Sequence, residues 1–144
     1  MDDVAYLKDL QASSADVESA MLLSMDGKIM ASSLRADTPD KEASAVKHCI
    51  EAMTIAIDLV ALTEHGDLDQ VYVKGQHGYV VMMAVDTTVL LVVLAREQAK
   101  LGLLYLDMLR AVNGLRGDVY GPIANVPIFP WRPPKSGRGY ARPG

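Results

Sequence analysis

PDKEASAVKHCIEAMTIAIDLVALTEH, residues 39–65, contains one proline, at its first position, and no glycine. Thr38 can cap a helix there, Pro39 suits the first helical position, and Asp40 and Glu42 favour the positive end of the dipole. Gly66 follows directly and can take the left-handed conformation that ends helices. Val46, Ile50, Met53, Ile57 and Val60 recur at steps of four and three, which makes one apolar stripe. Ala52, Ile55, Ala56, Leu59 and Leu62 make a second beside it. The polar remainder is narrow: Ser44, Lys47, His48, Glu51, Thr54 and Asp58. The pattern predicts one helix over Pro39–His65, about 40 Å long at 1.5 Å per residue. A helix apolar over so much of its girth needs two surfaces. One is a sheet of its own chain. The rest of the sequence does not supply the other, which points to a second copy of the protein. A strand of about seven residues spans only about 23 Å, so the helix overhangs its sheet unless it crosses obliquely or the sheet is extended.

Working outward, Asp2–Ala12 reads as a short helix with Val4, Leu7 and Leu10 on one face. Ser19–Ser24 and Lys28–Ser33 read as strands around Asp26-Gly27, a strong hairpin signal because both positions tolerate positive φ. After Gly66, strands are expected over Gln70–Lys74, Tyr79–Val85 and Thr88–Ala95, with turns at 75–78 and 86–87. The last two are nearly continuous apolar runs, as suits central strands covered on both faces. A closing helix is expected over Glu97–Val112, with Ala99, Leu103, Leu106 and Leu109 inward. The fold class is α/β in the α+β sense, in the order αββαβββα. That gives a five-stranded, mostly antiparallel sheet with helices on both faces. The domain is expected over residues 1–116. Residues 117–144 form a C-terminal arm rich in Pro, Gly and Arg, expected to be partly disordered.

With 144 residues, half of them apolar, the chain can bury a core without staples. Cys49 is the single cysteine, which rules out an intrachain disulfide and a Cys-rich zinc site. The acidic start lacks the pattern of a signal peptide, and the apolar region 79–95 is broken by Asp86, Thr87 and Thr88. A cytoplasmic location is the expectation. The net charge of −4 conceals an asymmetry: residues 131–144 carry Arg132, Lys135, Arg138 and Arg142 and no acid, so the remainder carries −8. So acidic a body is a poor nucleic-acid binder.

The residues assemble no obvious catalytic constellation. His48 and Cys49 are adjacent on a helix and point about 100° apart, so they do not face each other. Cys49 is expected to be a partly buried, inert thiol. His48, His65 and His77 lack metal-site spacing, and no metal or other cofactor is expected. Gly75, Gly78 and Gly102 lack the strand-to-helix context of a phosphate loop, so the chain itself is not expected to bind GTP. Met21, Met53, Met82, Met83 and Met108 read as core filler, with Met53 near the seam between copies. The protein is not expected to be an enzyme.

The hairpin Met25-Asp26-Gly27 with Ala31 after it, the long helix, VKGQHGYVVM at 73–82, and AKLGL at 99–103 before Arg110 together resemble the Roadblock/dynein light-chain domain family, in its MglB-like prokaryotic branch. The resemblance covers residues 3–113. It implies a homodimer in which two five-stranded sheets join edge to edge through the strand at 70–74 and the long helices lie side by side. Val71, Tyr72 and Val73, with Met53 and Ile57, are then the expected dimer interface. It further implies a non-enzymatic platform or regulator of a small Ras-like GTPase, acting on hydrolysis or exchange and connected with processes such as cell polarity. Position on the long helix assigns Ser44, Lys47, His48, Glu51 and Asp58 to the GTPase. The alternative is a dimeric scaffold in a motility, transport or signalling complex with no effect on nucleotide turnover. The long helix holds no arginine, so a stimulating arginine would have to come from Arg35 or the arm.

The arm lies outside the resemblance. Trp131, Arg132, Lys135 and Arg138 can serve as a polyproline hook for a partner groove. The same residues can serve as a basic arm for an acidic surface, lipid or nucleic acid. They can also fold back on the acidic body, or simply form a solubilising end. Contact with nucleic acid or membrane is expected only through this arm.

Overall fold

The computed structural model describes residues 2–33 and 39–118. Its elements are α1 (Asp3–Ser13), β1 (Val17–Ser24), β2 (Ile29–Ser32), α2 (Pro39–Leu62), β3 (Gln70–Gly75), β4 (Gly78–Ala84), β5 (Val89–Arg96) and α3 (Leu101–Asp118). The order is the expected one. The strands form one sheet in the order β2-β1-β5-β4-β3, and every pairing is antiparallel. The edges are therefore β2 and β3.

Alternation along the central strands explains their apolar runs. Leu22, Leu91, Val93, Val81 and Met83 point to one face, where they pack with Leu7 and Leu10 of α1 and Leu104, Met108, Val112 and Leu115 of α3. Met21, Leu23, Leu90, Val92 and Met82 point to the other, under Val46, Met53 and Ile57 of α2. A strand covered on both sides has no position left for a polar residue. The five methionines expected in the core are all buried.

α2 and α3 depart most from their expected bounds. α2 stops at Leu62, short of His65. Glu64 N–H donates to Ala61 O (3.1 Å) and His65 N–H to Val60 O (2.8 Å), the paired closure of a Schellman end. The left-handed residue is Glu64 (φ 61°), two positions before the glycine expected to fill that role. The proposed cap Thr38 lies outside the described residues. α3 starts at Leu101, because residues 97–99 form a turn closed by Ala99 N–H donating to Arg96 O (3.1 Å). Lys100 N–H, just ahead of the helix, donates to the Asp16 carboxylate (3.0 Å). This start corrects the inner face of α3. Leu104, Met108, Ala111, Val112 and Leu115 are buried, while Leu103 and Leu106, expected inside, are exposed. The helix also runs past 112 and 116 to Asp118. Its last turns are tied down by Arg116 Nε donating to Val85 O (2.6 Å), and Gly114 leaves room for the Tyr6 ring, which a Cβ would approach to 2.3 Å.

Candidate partner-binding face

At about 100° per residue, Val46, Met53 and Ile57 lie on one side of α2 and Ser44, His48, Glu51, Ile55, Leu59 and Leu62 on the opposite side. Burial follows this division. Met53 is 0% exposed and Ile57 6%, whereas Ile55, Leu59 and Leu62 are 64%, 59% and 64% exposed. Met53 and Ile57, expected at the seam between two copies, are therefore spent on the chain's own sheet. The second apolar stripe supplies the uncovered side chains. Its signal was in the sequence, but spacing alone gives no way to rank two parallel stripes.

Ser44, Lys47, His48 and Glu51 are exposed on the first half of the same outer face, and Asp58 is half-buried at its margin. The face is thus polar toward the start of α2 and apolar toward its end. His48 Nδ1 sits 2.7 Å from Ser44 O and 3.4 Å from Ser44 Oγ. A carbonyl can only accept, so in the contact to Ser44 O the imidazole Nδ1–H is the donor. Cys49 is half-buried and unbonded to sulfur, and burial pushes its thiol pKa up, which disfavours the reactive thiolate. Beside it, Ala45, Ala52 and Ala56 are half-buried and small, a flank on which another helix can approach closely.

The edge strand β3 is the second uncovered element. Val71 is half-buried, and Tyr72 (40%) and Val73 (48%) are exposed. Desolvation, with Asp69 and Tyr105 adding, raises the Tyr72 phenol pKa. Gln70 Nε2, at the start of this strand, is buried and has no acceptor among the described residues. On α3, Leu103 and Leu106 are exposed as well; sequence reading missed them by placing them inside. A groove of about 330 Å³ runs between the β1–β2 turn and α2, lined by Met25, Asp26, Gly27, Ala43, Val46, Lys47, Ile50 and Glu51. It too escaped the sequence reading, since its two walls are far apart in the chain.

Among the described residues, no group of three or more His, Cys, Asp or Glu side chains is placed to hold a metal ion, and no helix is long and apolar enough to cross a membrane. Arg35, Trp131, Arg132, Lys135 and Arg138 lie outside the described residues.

The Roadblock/LC7 domain family model matches residues 4–95. The structure resembles a Roadblock/LC7 domain from Streptomyces avermitilis with a TM-score of 0.71 at 21% identity, covering 81% of this chain and 96% of that one. It resembles MglB of Myxococcus xanthus with a TM-score of 0.70 at 19% identity, over 78% and 90% of the two chains. The gliding protein MglB of Thermus thermophilus gives 0.66 at 20% identity, over 78% and 84%. No curated protein matches the chain by sequence. At these identities the structural likeness speaks to the fold, and the family match from α1 through β5 speaks to descent: this chain belongs to the Roadblock/LC7 family.

Proposed function

We propose that the protein is a non-enzymatic, homodimeric regulator or platform for a small Ras-like GTPase. The observation that carries this reading is the outer face of α2, where exposed Ser44, Lys47, His48 and Glu51 run into exposed Ile55, Leu59 and Leu62. A lone domain gains nothing by holding three large apolar side chains in water on one helix face. Self-association accounts for the apolar part. Pairing of β3 with β3 of a second copy covers an open strand edge, and it brings new acceptors near the buried Gln70 amide. The flank of Ala45, Cys49, Ala52 and Ala56 lets the two α2 helices come close. The polar half of α2 then remains for the GTPase.

The mechanism is indirect. The polar half mixes a cation, an anion, an imidazole and a hydroxyl, which suits recognition of a mixed protein surface. Binding to mobile switch loops shifts their population toward one arrangement, and turnover or exchange changes as a result. The test is to titrate the protein into small Ras-like GTPases of its own genome carrying a fluorescent nucleotide, following exchange and hydrolysis separately. The expected result is a tenfold or larger change in one rate with one GTPase, lost in Lys47→Glu/Glu51→Lys. Binding with both rates unchanged would leave the adaptor reading in its place.

A further inference from the structure

We infer, on the reading that the polar half of α2 binds a GTPase, that the groove between the β1–β2 turn and α2 seats one large apolar side chain of that GTPase and so anchors it. Val46 faces the sheet. At about 100° per residue, Ala43, Lys47 and Glu51 turn to one flank of α2, and Ala45, Cys49, Ala52 and Ala56 to the other. The groove opens on the first flank, and Lys47 and Glu51 form part of its wall. The small residues on which a second α2 can approach are on the opposite flank. A second copy paired through that flank leaves the groove open, so its occupant is the partner that Lys47 and Glu51 already meet.

The groove has the anatomy of an interface hot spot, an apolar centre ringed by charge. Val46 is buried and Met25 and Ile50 are half-buried, while Asp26, Lys47 and Glu51 are exposed around them. The rim is balanced in sign. Asp26 lies 3.9 Å from Lys28 Nζ, and Lys47 and Glu51 stand four residues apart on one helix. Such a rim favours neither a cationic nor an anionic anchor, and the walls favour an apolar one. The volume of about 330 Å³ is at the lower end for ligand clefts, enough for one large side chain. The far wall is formed before any partner arrives. Ser24 N–H donates to Lys28 O (2.8 Å), Gly27 N–H to Ser24 O (3.0 Å) and Met25 N–H to Thr88 O (2.9 Å). Thr88 is fixed in turn by Asp86, whose carboxylate accepts from its N–H (2.6 Å) and its hydroxyl (2.9 Å). A wall ordered in advance keeps the entropy loss of binding small.

An isotope-labelled Met25 methyl group reports the groove by NMR in the full chain. With N-acetyl-leucinamide as the probe, its signal is expected to shift saturably in the low-millimolar range. Ala43→Leu fills the groove from an exposed helix position and should abolish that shift with mass and melting unchanged. Against the GTPase whose exchange or hydrolysis responds to the unaltered chain, Ala43→Leu should raise the concentration for half-maximal effect at least tenfold, as loss of an anchor does. A Met25 signal that ignores the probe, or shifts equally in Ala43→Leu, overturns the groove as an apolar site and leaves the platform reading standing. A GTPase that responds equally to Ala43→Leu and to the unaltered chain overturns the assignment of the groove to the partner. A groove that takes the probe in a chain to which no GTPase responds overturns the platform reading and, with it, the occupant assigned here.

Discussion

Met53 and Ile55 are two residues apart on α2 and point to nearly opposite sides. Met53→Ala removes three heavy atoms from a side chain that is 0% exposed and packed within the cluster of Val46, Ile57, Met82 and Val92. The lost transfer free energy is about 2 kcal/mol. The cavity left between helix and sheet raises the total to about 3 kcal/mol, within the usual range for a buried Met→Ala. For a chain of this size that lowers the melting temperature by roughly 10 °C. Ile55→Ala starts from a side chain 64% exposed. Within one copy it costs less than about 0.5 kcal/mol. Any larger loss comes from association and depends on protein concentration. The assay is urea and thermal unfolding of both variants at two protein concentrations a hundredfold apart. A neutral Met53→Ala with a concentration-independent loss of several kcal/mol for Ile55→Ala would mean that α2 is turned half a revolution from its described orientation, and the assignment of both faces would fail.

Gly78→Ala should destabilise by about 1–3 kcal/mol, because its Cβ would stand 2.5 Å from Ala95 O, a backbone atom that cannot swing aside; chemical denaturation measures it. Asp16 accepts from Lys100 N–H and from Arg96 Nε (2.7 Å), and these bonds hold its pKa below the ordinary 3.8. A lowered folded-state pKa contributes stability that is present above pH about 4 and is lost as pH falls through the folded value. Asp16→Asn should therefore lower the urea midpoint at pH 7 and flatten its decline below pH 4; an unchanged acid slope would sink this reading. Glu64→Gly relieves a left-handed residue at the end of α2 (φ 61°) and should stabilise by about 0.5 kcal/mol, the strain removed less the added freedom of the unfolded chain. A loss of stability there would show that the Glu64 side chain has a role beyond closing the helix.

The order of elements was legible because each carries its own local signal. The 3.6-residue period marks α2, Asp26-Gly27 marks the first hairpin, and the doubly apolar runs mark β4 and β5. The face of each helix was harder to read. α2 offers two apolar stripes and α3 offers two registers, Ala99-Leu103-Leu106 and Leu104-Met108-Leu115. Only packing against a particular sheet selects between them. The start of α3 turns on Asp16, some eighty residues away in sequence, which captures Lys100 N–H and delays the helix. No window around residue 97 contains that information. The exposure of Ser44, His48 and Glu51 was legible because the three share one phase of α2. The groove depends on the β1–β2 turn folding back on α2 and has no signature in either segment alone.

The account rests most heavily on a second copy covering β3 and α2. Light scattering behind size-exclusion chromatography at tens of micromolar tests it directly, on the full chain and on a Val73→Lys/Leu59→Asp variant at two exposed positions. A mass near twice 15.6 kDa for the full chain, falling to the single-chain value in the variant with circular dichroism unchanged, is the predicted result. A full chain that elutes at its monomer mass would leave Ile55, Leu59, Leu62 and Val73 in water and would contradict the account at its base.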